Sequence, residues 1–282
     1  MTRDMFKWSI EVINLGAPRG NFKHAVFDFD GTISLIREGW QQIMIPFFTE
    51  ELLDTPKGKD KSRAEVEEFA RDFIYVLTGK QTIYQCIRLT EELTNFGGEP
   101  VAPQAYKDEY HRRLNLKIAD RIEGLTDKTQ SPADHIVPGS FELLEGLRAR
   151  GVHLYLASGT DEVYVKQEAA LLGVDTYFGK HIYGAQTDYK TFSKRMVIER
   201  IIREHDLHGS ELLGFGDGYV EIENVKSVGG FACGVATDEL NRWGIDEWKR
   251  DRLARSGADI IIPDYTETNT LLNFLFTEER QP

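Results

Sequence analysis

The stretch that decides the fold lies near the start of the sequence, where residues 25–31 read AVFDFDG. This short apolar run is interrupted by two acidic residues and ends in glycine. It is too short for a helix and no turn signal precedes it, so it predicts a buried strand. Asp28 and Asp30 then lie where this strand leaves its sheet.

From Pro138 onward, predicted strands alternate with predicted helices. The strands are predicted at residues 152–157, 212–215, 231–236 and 259–262. The helices are predicted at residues 140–150, 161–172, 193–205 and 267–276. Strands that alternate with helices form a parallel sheet covered by helices on both faces, so the sequence predicts an α/β fold. Near the N-terminus, residues 9–15 predict an edge strand.

The segment between these two regions has a different character, because its apolar residues recur at helical spacing. Helices are predicted at residues 38–53, 61–78, 81–95 and 103–123. Breaker residues at 54–60 separate the first two helices, and those at 95–100 separate the last two. We therefore predict a core formed by residues 1–35 and 136–282, with an all-helical insert at 36–135, which we call the cap.

Polar residues follow several of the predicted strands. Asp28 and Asp30 end the first, residues 158–160 (Ser-Gly-Thr) follow another, and residues 216–218 (Gly-Asp-Gly) follow a third. Taken singly, these motifs are typical of a turn, a helix cap and a loop. In open parallel sheets, however, ligands bind beyond the carboxyl ends of the strands. The motifs together therefore predict one polar site at that edge.

In this order the motifs resemble those of the haloacid-dehalogenase-like (HAD) phosphatases. Residues 28–32 match the family's DxDGT motif in full, and residues 154–159 match its apolar strand that ends in Ser or Thr. The family's Lys at a helix start has Lys194 as its best candidate, with Lys190 as a competitor. Gly216-Asp217 followed by Glu221 matches the last motif, although most relatives carry Asp where this chain has Glu221.

The resemblance covers residues 24–35 and 136–265, which is the whole predicted core. It implies a Rossmann-like three-layer core and a helical cap of the C1 type, inserted directly after the first motif. It also implies a hydrolase that acts on phosphomonoesters with Mg²⁺.

Phosphoryl transfer needs a nucleophile, a proton donor for the leaving oxygen and positive charge around the phosphate. Asp28 suits the first role and Asp30 the second, as general acid and then base. Ser158, the Gly159 amide and Lys194 would bind the phosphoryl oxygens.

Several carboxylates that face a phosphate dianion repel it unless a cation intervenes. Oxygen ligands favour Mg²⁺, which we expect to be held by Asp28, Asp217 and the backbone carbonyl of Asp30. Glu221 is expected either to reach the metal directly or to hold a metal-bound water.

Composition limits the partners. The 282 residues carry a formal net charge of −12, which argues against nucleic acid and anionic membranes as partners. Two cysteines without CxxC spacing, a start without a signal-peptide pattern and no long apolar segment favour a cytoplasmic protein. The expected partner is a small phosphorylated metabolite, and the sequence indicates no oligomeric state.

Three other functions deserve comparison. A phosphomutase uses the same two aspartates but keeps the phosphate on a sugar. A catalytically silent binding module would have no reason to keep every acidic, hydroxyl and Lys position. A haloalkanoate dehalogenase is disfavoured, since that branch lacks the second Asp.

Overall fold

A single sheet organises the chain, for which the computed structural model describes residues 10–277. Its seven strands lie in the order β1-β7-β6-β5-β2-β3-β4. Neighbouring strands are parallel, except that β1 pairs antiparallel with β7 at one edge. The strands are β1 (Glu11–Val12), β2 (His24–Phe27), β3 (His153–Asp161), β4 (Ile182–Ala185), β5 (Leu212–Gly216), β6 (Phe231–Val235) and β7 (Ile260–Ile262).

The central strand β2 fixes where the polar motifs meet. In its register Phe27 lies between Leu156 of β3 and Phe215 of β5, and the Phe27 and Phe215 rings stack with centroids 4.5 Å apart. All four residues of β2 are buried, as expected for a strand covered on both faces. Because β3 and β5 flank β2 in parallel, residues just beyond all three strands share one edge.

The cap consists of four helices and a short 3-10 turn between β2 and β3. The helices are α1 (Gln41–Leu53), α2 (Arg63–Val76), α3 (Thr82–Asn95) and α4 (Pro103–Thr126). Local signals set their starts: Ser62 and Glu65 form a reciprocal capping box on α2, and α4 begins with a proline. Buried Phe48 of α1 packs against Phe73 of α2, with ring centroids 6.0 Å apart.

Charged contacts tie α4 to the core and to the segment through which the chain enters the cap. Lys107 donates to Asp161 at 2.5 Å, at the end of β3. Arg121 donates to the carbonyl of Ile36 at 2.7 Å and to the Glu38 carboxylate at 2.8 Å, where the chain enters the cap. These contacts hold the cap over the carboxyl edge of the sheet, on the same side as Asp28.

Within residues 10–277, seven further helices cover the two faces of the sheet. They are α5 (Ser140–Ala149), α6 (Glu162–Leu172), α7 (Asp175–Phe178), α8 (Lys194–Glu204), α9 (Tyr219–Ser227), α10 (Glu247–Arg255) and α11 (Thr268–Phe276). Apolar residues of α5, α6, α7 and α11 pack on the face that includes Phe27, and those of α8, α9 and α10 pack on the face that includes Val26. The result is a three-layer core, and the predicted α/β class is confirmed.

Helices α7, α9 and α10 lie in segments where the sequence predicted no helix, and two strands also differ from the sequence prediction. Strand β4 was not predicted, because Ile182–Ala185 is short and contains Gly184. A Cβ at Gly184 would lie 2.5 Å from the Cα of Glu162, so the close approach of α6 excludes a side chain there. Strand β3 also continues through Asp161, past the predicted end at residue 157, with a register shift between Ala157 and Asp161.

In the part of the chain that the structure covers, none of the helices has the length and apolar character needed to cross a bilayer.

Candidate active site

The turn after β2 presents the two aspartates. The Asp28 amide donates to the carbonyl of Phe215 at 2.9 Å, which continues the β2–β5 ladder by one residue. The amides of Ile33 and Ser34 both donate to the carbonyl of Phe29 at 2.8 Å and close a tight turn. Gly31 adopts a φ of +75° in this turn, a conformation that favours glycine. The DxDGT motif therefore forms a rigid turn at the carboxyl edge of the sheet.

Lys194 lies beside Asp28. It is the first residue of α8, whose start is capped by Ser193, and its Nζ donates to Asp28 Oδ1 at 2.7 Å. The same ammonium contacts the Glu221 carboxylate, and all three side chains are at most 7% exposed. The structure thus places Lys194 beside the predicted nucleophile. Lys190 instead lies in an exposed turn with its Nζ 5.9 Å from the Tyr189 ring centroid.

The electrostatics of this group are set by burial and by an excess of carboxylates. Burial raises the pKa of Asp28 well above its usual range; Lys194 opposes this shift, whereas Glu221 and Asp217 add to it. Burial alone would lower the pKa of Lys194, but the Asp28 and Glu221 carboxylates reverse the effect and raise it. Lys194 therefore stays charged, but its single ammonium does not offset the combined effect of burial and the neighbouring carboxylates on Asp28.

Asp30 faces two hydroxyl groups from the end of β3. Its Oδ2 accepts from Thr160 Oγ1 at 2.8 Å and from Ser158 Oγ at 3.3 Å. Its Oδ1 is buried and has no hydrogen-bond partner among the described residues, with the nearest cation, Arg37 Nε, at 3.9 Å. Arg37 is itself held by Glu168 through bonds of 2.7 to 3.1 Å. Asp30 is thus oriented through one oxygen only.

Asp217 meets a lysine that the sequence analysis did not single out. Lys249 Nζ lies 2.8 Å from Asp217 Oδ2 and donates to Glu239 Oε1 at 2.5 Å. Burial would lower the pKa of Lys249, but Asp217 and Glu239 together raise it above its ordinary value. Both Lys249 and Glu239 lie in the segment after β6, and no motif in the sequence draws attention to them.

Gly159 is placed where the core touches the cap. A Cβ at this position would lie 2.8 Å from the Lys80 carbonyl oxygen, so the two backbones are in close contact. Nearby, the Gln81 amide side chain donates to the carbonyls of Tyr189 and Phe192, at 3.1 and 2.7 Å. The cap loop at residues 78–82 is therefore seated on the loops of the core.

A cleft of about 630 Å³, counting the space at its open mouth, separates the two parts. One side, which we call the core wall, is formed by Asp28, Asp30, Ser158, Gly159, Thr160, Lys194 and Asp217. The other, the cap wall, is formed by Trp40, Thr78, Gly79, Lys80, Thr82, Gln85 and Tyr110. Arg37 lines the cleft between them. All the predicted catalytic and phosphate-binding residues thus meet in one cleft, together with Thr160.

The donor atoms in this cleft fit a hard divalent cation. Asp28, Asp30 and Asp217 offer carboxylate oxygens, and the lining contains neither Cys nor His. Burial, followed by the Glu221 and Asp217 carboxylates, raises the pKa of Asp28, and a bound cation would favour its ionised form. Within residues 10–277, no group of three or more His, Cys, Asp or Glu side chains is arranged to hold a metal. A site with two carboxylates, from Asp28 and Asp217, and the Asp30 backbone carbonyl is consistent with that result. The Glu221 carboxylate contacts Lys194.

A family model for haloacid dehalogenase-like hydrolases matches residues 22–229. The chain belongs to this family. The match spans β2 with the aspartate turn, the cap, β3, Lys194 and the Asp217 loop. No curated protein matches the chain.

Solved structures share the family fold across nearly the whole chain. A predicted phosphoglycolate phosphatase from Haemophilus somnus 129pt superposes with a TM-score of 0.58 at 16% identity, covering 89% of this chain and 98% of that one. A β-phosphoglucomutase from Clostridium difficile superposes with a TM-score of 0.55 at 12% identity, covering 90% and 98%. A HAD family hydrolase from Deinococcus radiodurans R1, with bound phosphate and sodium, gives 0.53 at 16% identity, covering 91% and 97%. At such identities the likeness establishes the fold.

Proposed function

We propose that this HAD-like hydrolase is a Mg²⁺-dependent phosphatase that hydrolyses small phosphomonoesters through an aspartyl phosphate on Asp28. The observation that carries the proposal is the pairing of Asp28 with the buried Lys194 on the core wall, with Asp30 two residues further along a rigid turn. A nucleophile, an acid/base group and a phosphate-neutralising cation then share one cleft.

The reaction takes two steps. An Asp28 carboxylate oxygen attacks phosphorus, the bond from phosphorus to the ester oxygen breaks, and Asp30 gives its proton to the leaving oxygen. Water then attacks the phosphorus of the aspartyl phosphate, Asp30 takes the proton, and phosphate leaves with Asp28 restored. Thr160 and Ser158 hold one Asp30 oxygen, which leaves the other for the proton.

The phosphoryl group would be bound by the Ser158 hydroxyl, the Gly159 amide and Lys194. Mg²⁺ would be held by Asp28, Asp217 and the Asp30 backbone carbonyl. It would supply positive charge that offsets the carboxylates and the phosphate. The contact of Glu221 with Lys194 favours a role in holding that lysine over direct binding of the metal.

The cap wall would select the substrate. It offers two aromatic rings, hydroxyl and amide groups and the exposed Lys80, a mixture suited to a small polar metabolite. A phosphomutase is the second candidate, because the fold is shared with a β-phosphoglucomutase and the two aspartates serve that reaction equally. A cytoplasmic location, and the absence of nucleic-acid and membrane partners, stay predictions from charge and composition.

The test is release of inorganic phosphate from para-nitrophenyl phosphate and from a panel of phosphorylated metabolites, with Mg²⁺ and with chelator. The proposed phosphatase should release phosphate with Mg²⁺ and should not release it with chelator. Conversion of one sugar phosphate into an isomer without phosphate release would favour the mutase. No turnover of any substrate with Mg²⁺ would contradict both enzymes and favour the silent binding module.

A further inference from the structure

A second cluster built around a buried lysine adjoins the core wall at Asp217. Lys249 is 2.8 Å from Asp217 and 2.5 Å from Glu239. The three side chains are 9%, 16% and 15% exposed, so their charges interact with little screening by water. The cluster is separate from the Lys194 group, and the reaction steps above do not use Lys249 or Glu239.

The fold places this cluster next to the aspartate turn. Lys249 lies in the first turn of α10, where the Asp246 side chain accepts from its backbone amide at 3.0 Å. Glu239 lies on the loop between β6 and α10, which a bridge between Thr237 and Ile245 closes. A Cβ on Gly31 would lie 2.3 Å from Asp217 Oδ2 and 3.0 Å from Glu239 Oε1. The cluster therefore packs directly against the turn that carries Asp28 and Asp30.

We propose that Lys249 and Glu239 are positioning residues that set the affinity of the cation site through opposite charges. This inference rests on the proposed function, in which Asp217 holds Mg²⁺. Lys249 engages Asp217 Oδ2, so Oδ1 would be the oxygen of this carboxylate available to a cation. Its ammonium would also repel a divalent cation bound to the same carboxylate. The negative charge of Glu239, which pairs with that ammonium, offsets part of the repulsion.

The two residues therefore affect Mg²⁺ in opposite directions. Lys249→Gln removes the repelling charge and keeps an amide that can donate to Asp217, so Mg²⁺ should bind more tightly. Glu239→Gln removes the negative charge that offsets the Lys249 ammonium, so Mg²⁺ should bind more weakly. Outer partners of metal ligands change affinity by roughly 10- to 100-fold, and we expect about tenfold in each direction.

The experiment is calorimetric titration of the full chain with MgCl₂, together with the shift in melting temperature at a fixed Mg²⁺ concentration. A cation that binds the folded state more tightly raises the melting temperature further. Lys249→Gln should show the lower Kd and the larger shift, and Glu239→Gln the higher Kd and the smaller shift. The matched control is Lys226→Gln, which removes a lysine paired with Asp259 at 2.8 Å outside the cleft and should leave the Kd unchanged.

The direction in which the Kd for Mg²⁺ changes distinguishes an effect of charge from an effect of packing. If both variants bind Mg²⁺ as the wild-type chain does, or if both shift the Kd in the same direction, the inference is wrong. If Lys249→Gln does not fold, Glu239→Gln decides alone, since an unchanged or lower Kd contradicts the inference. A wild-type chain that binds no Mg²⁺ would instead overturn the magnesium part of the proposed function, and this inference with it.

Discussion

The two walls of the cleft are built in different ways. The core wall carries charged side chains that specific polar partners hold in place, as in the contacts of Lys194 with Asp28 and of the Thr160 hydroxyl with Asp30. The cap wall carries mainly neutral groups, and its charged Lys80 is exposed and makes no ion pair among the described residues. In the proposed mechanism the core wall performs the chemistry and the cap wall selects the substrate. Changes to the core wall should lower kcat, and changes to the cap wall should act mainly on KM.

The largest effect is expected for Asp28→Asn. An amide is a poor nucleophile, so hydrolysis of para-nitrophenyl phosphate should fall by roughly 10⁴-fold or more. The variant should fold, because the exchange removes a buried carboxylate of raised pKa without changing its size. Circular dichroism and steady-state rates measure the two properties. Substantial activity in a folded variant would remove the nucleophilic role of Asp28.

Asp30→Asn should lower kcat by about 10² to 10⁴-fold for alkyl phosphates, because the leaving alkoxide needs a proton. The loss should be smaller for para-nitrophenyl phosphate, whose leaving group needs little protonation. The measurement is the ratio of wild-type to variant kcat for each substrate. Equal losses on both substrates would argue against Asp30 as the acid.

Lys194→Met should lower kcat by roughly 10² to 10³-fold, the range for loss of one group that stabilises charge in the transition state. Lys190→Met is the matched control, since Lys190 lies in an exposed turn and should tolerate the change with wild-type kcat. Steady-state rates of both folded variants compare the two lysines. If Lys190→Met loses activity and Lys194→Met does not, the phosphate-binding lysine has been assigned wrongly.

The smallest effect is expected where the walls touch. Gly159→Ala places a Cβ 2.8 Å from the Lys80 carbonyl and should push the cap loop outward. A clash of this kind costs about 1–3 kcal/mol, and the loop that it displaces belongs to the cap wall, so kcat/KM for a metabolite substrate should fall by roughly tenfold, mainly through KM. Gly16→Ala is the control, because its Cβ would meet only Asn14 Oδ1, at 3.7 Å. An unchanged KM in Gly159→Ala would show that the contact between the walls does not shape the substrate site.

Sequence alone was sufficient for the elements with strong periodicity and for motifs at strand ends. The four cap helices and the strands around Asp28, Ser158 and Asp217 lie close to their predicted positions. These signals are local: apolar spacing marks a helix, and a polar motif after an apolar run marks the edge of a parallel sheet.

The features that the sequence did not reveal depend on contacts between distant segments. Strand β4 contains Gly184 because the start of α6 leaves no room for a side chain there. The sequence of residues 182–185 alone does not show that α6 lies so close. Lys249 and Glu239 reach Asp217 only because the segment after β6 folds back against the aspartate turn. Glu221 fits its motif, but the motif could not show that its carboxylate contacts Lys194. Pairing between side chains is set by tertiary packing, which spacing along the chain does not encode.

The central claim, an aspartyl phosphate on Asp28, is tested most directly by trapping that species. The Asp30→Asn variant, mixed with para-nitrophenyl phosphate and Mg²⁺, should release nitrophenolate in a burst and then hydrolyse the phosphoenzyme slowly, because the attacking water lacks its base. Acid quenching followed by borohydride reduction converts an acyl phosphate into homoserine, which peptide mass spectrometry locates. The account predicts homoserine at position 28 after incubation with substrate and none without it. A burst of nitrophenolate with no homoserine at position 28, or with homoserine at another residue, would contradict it.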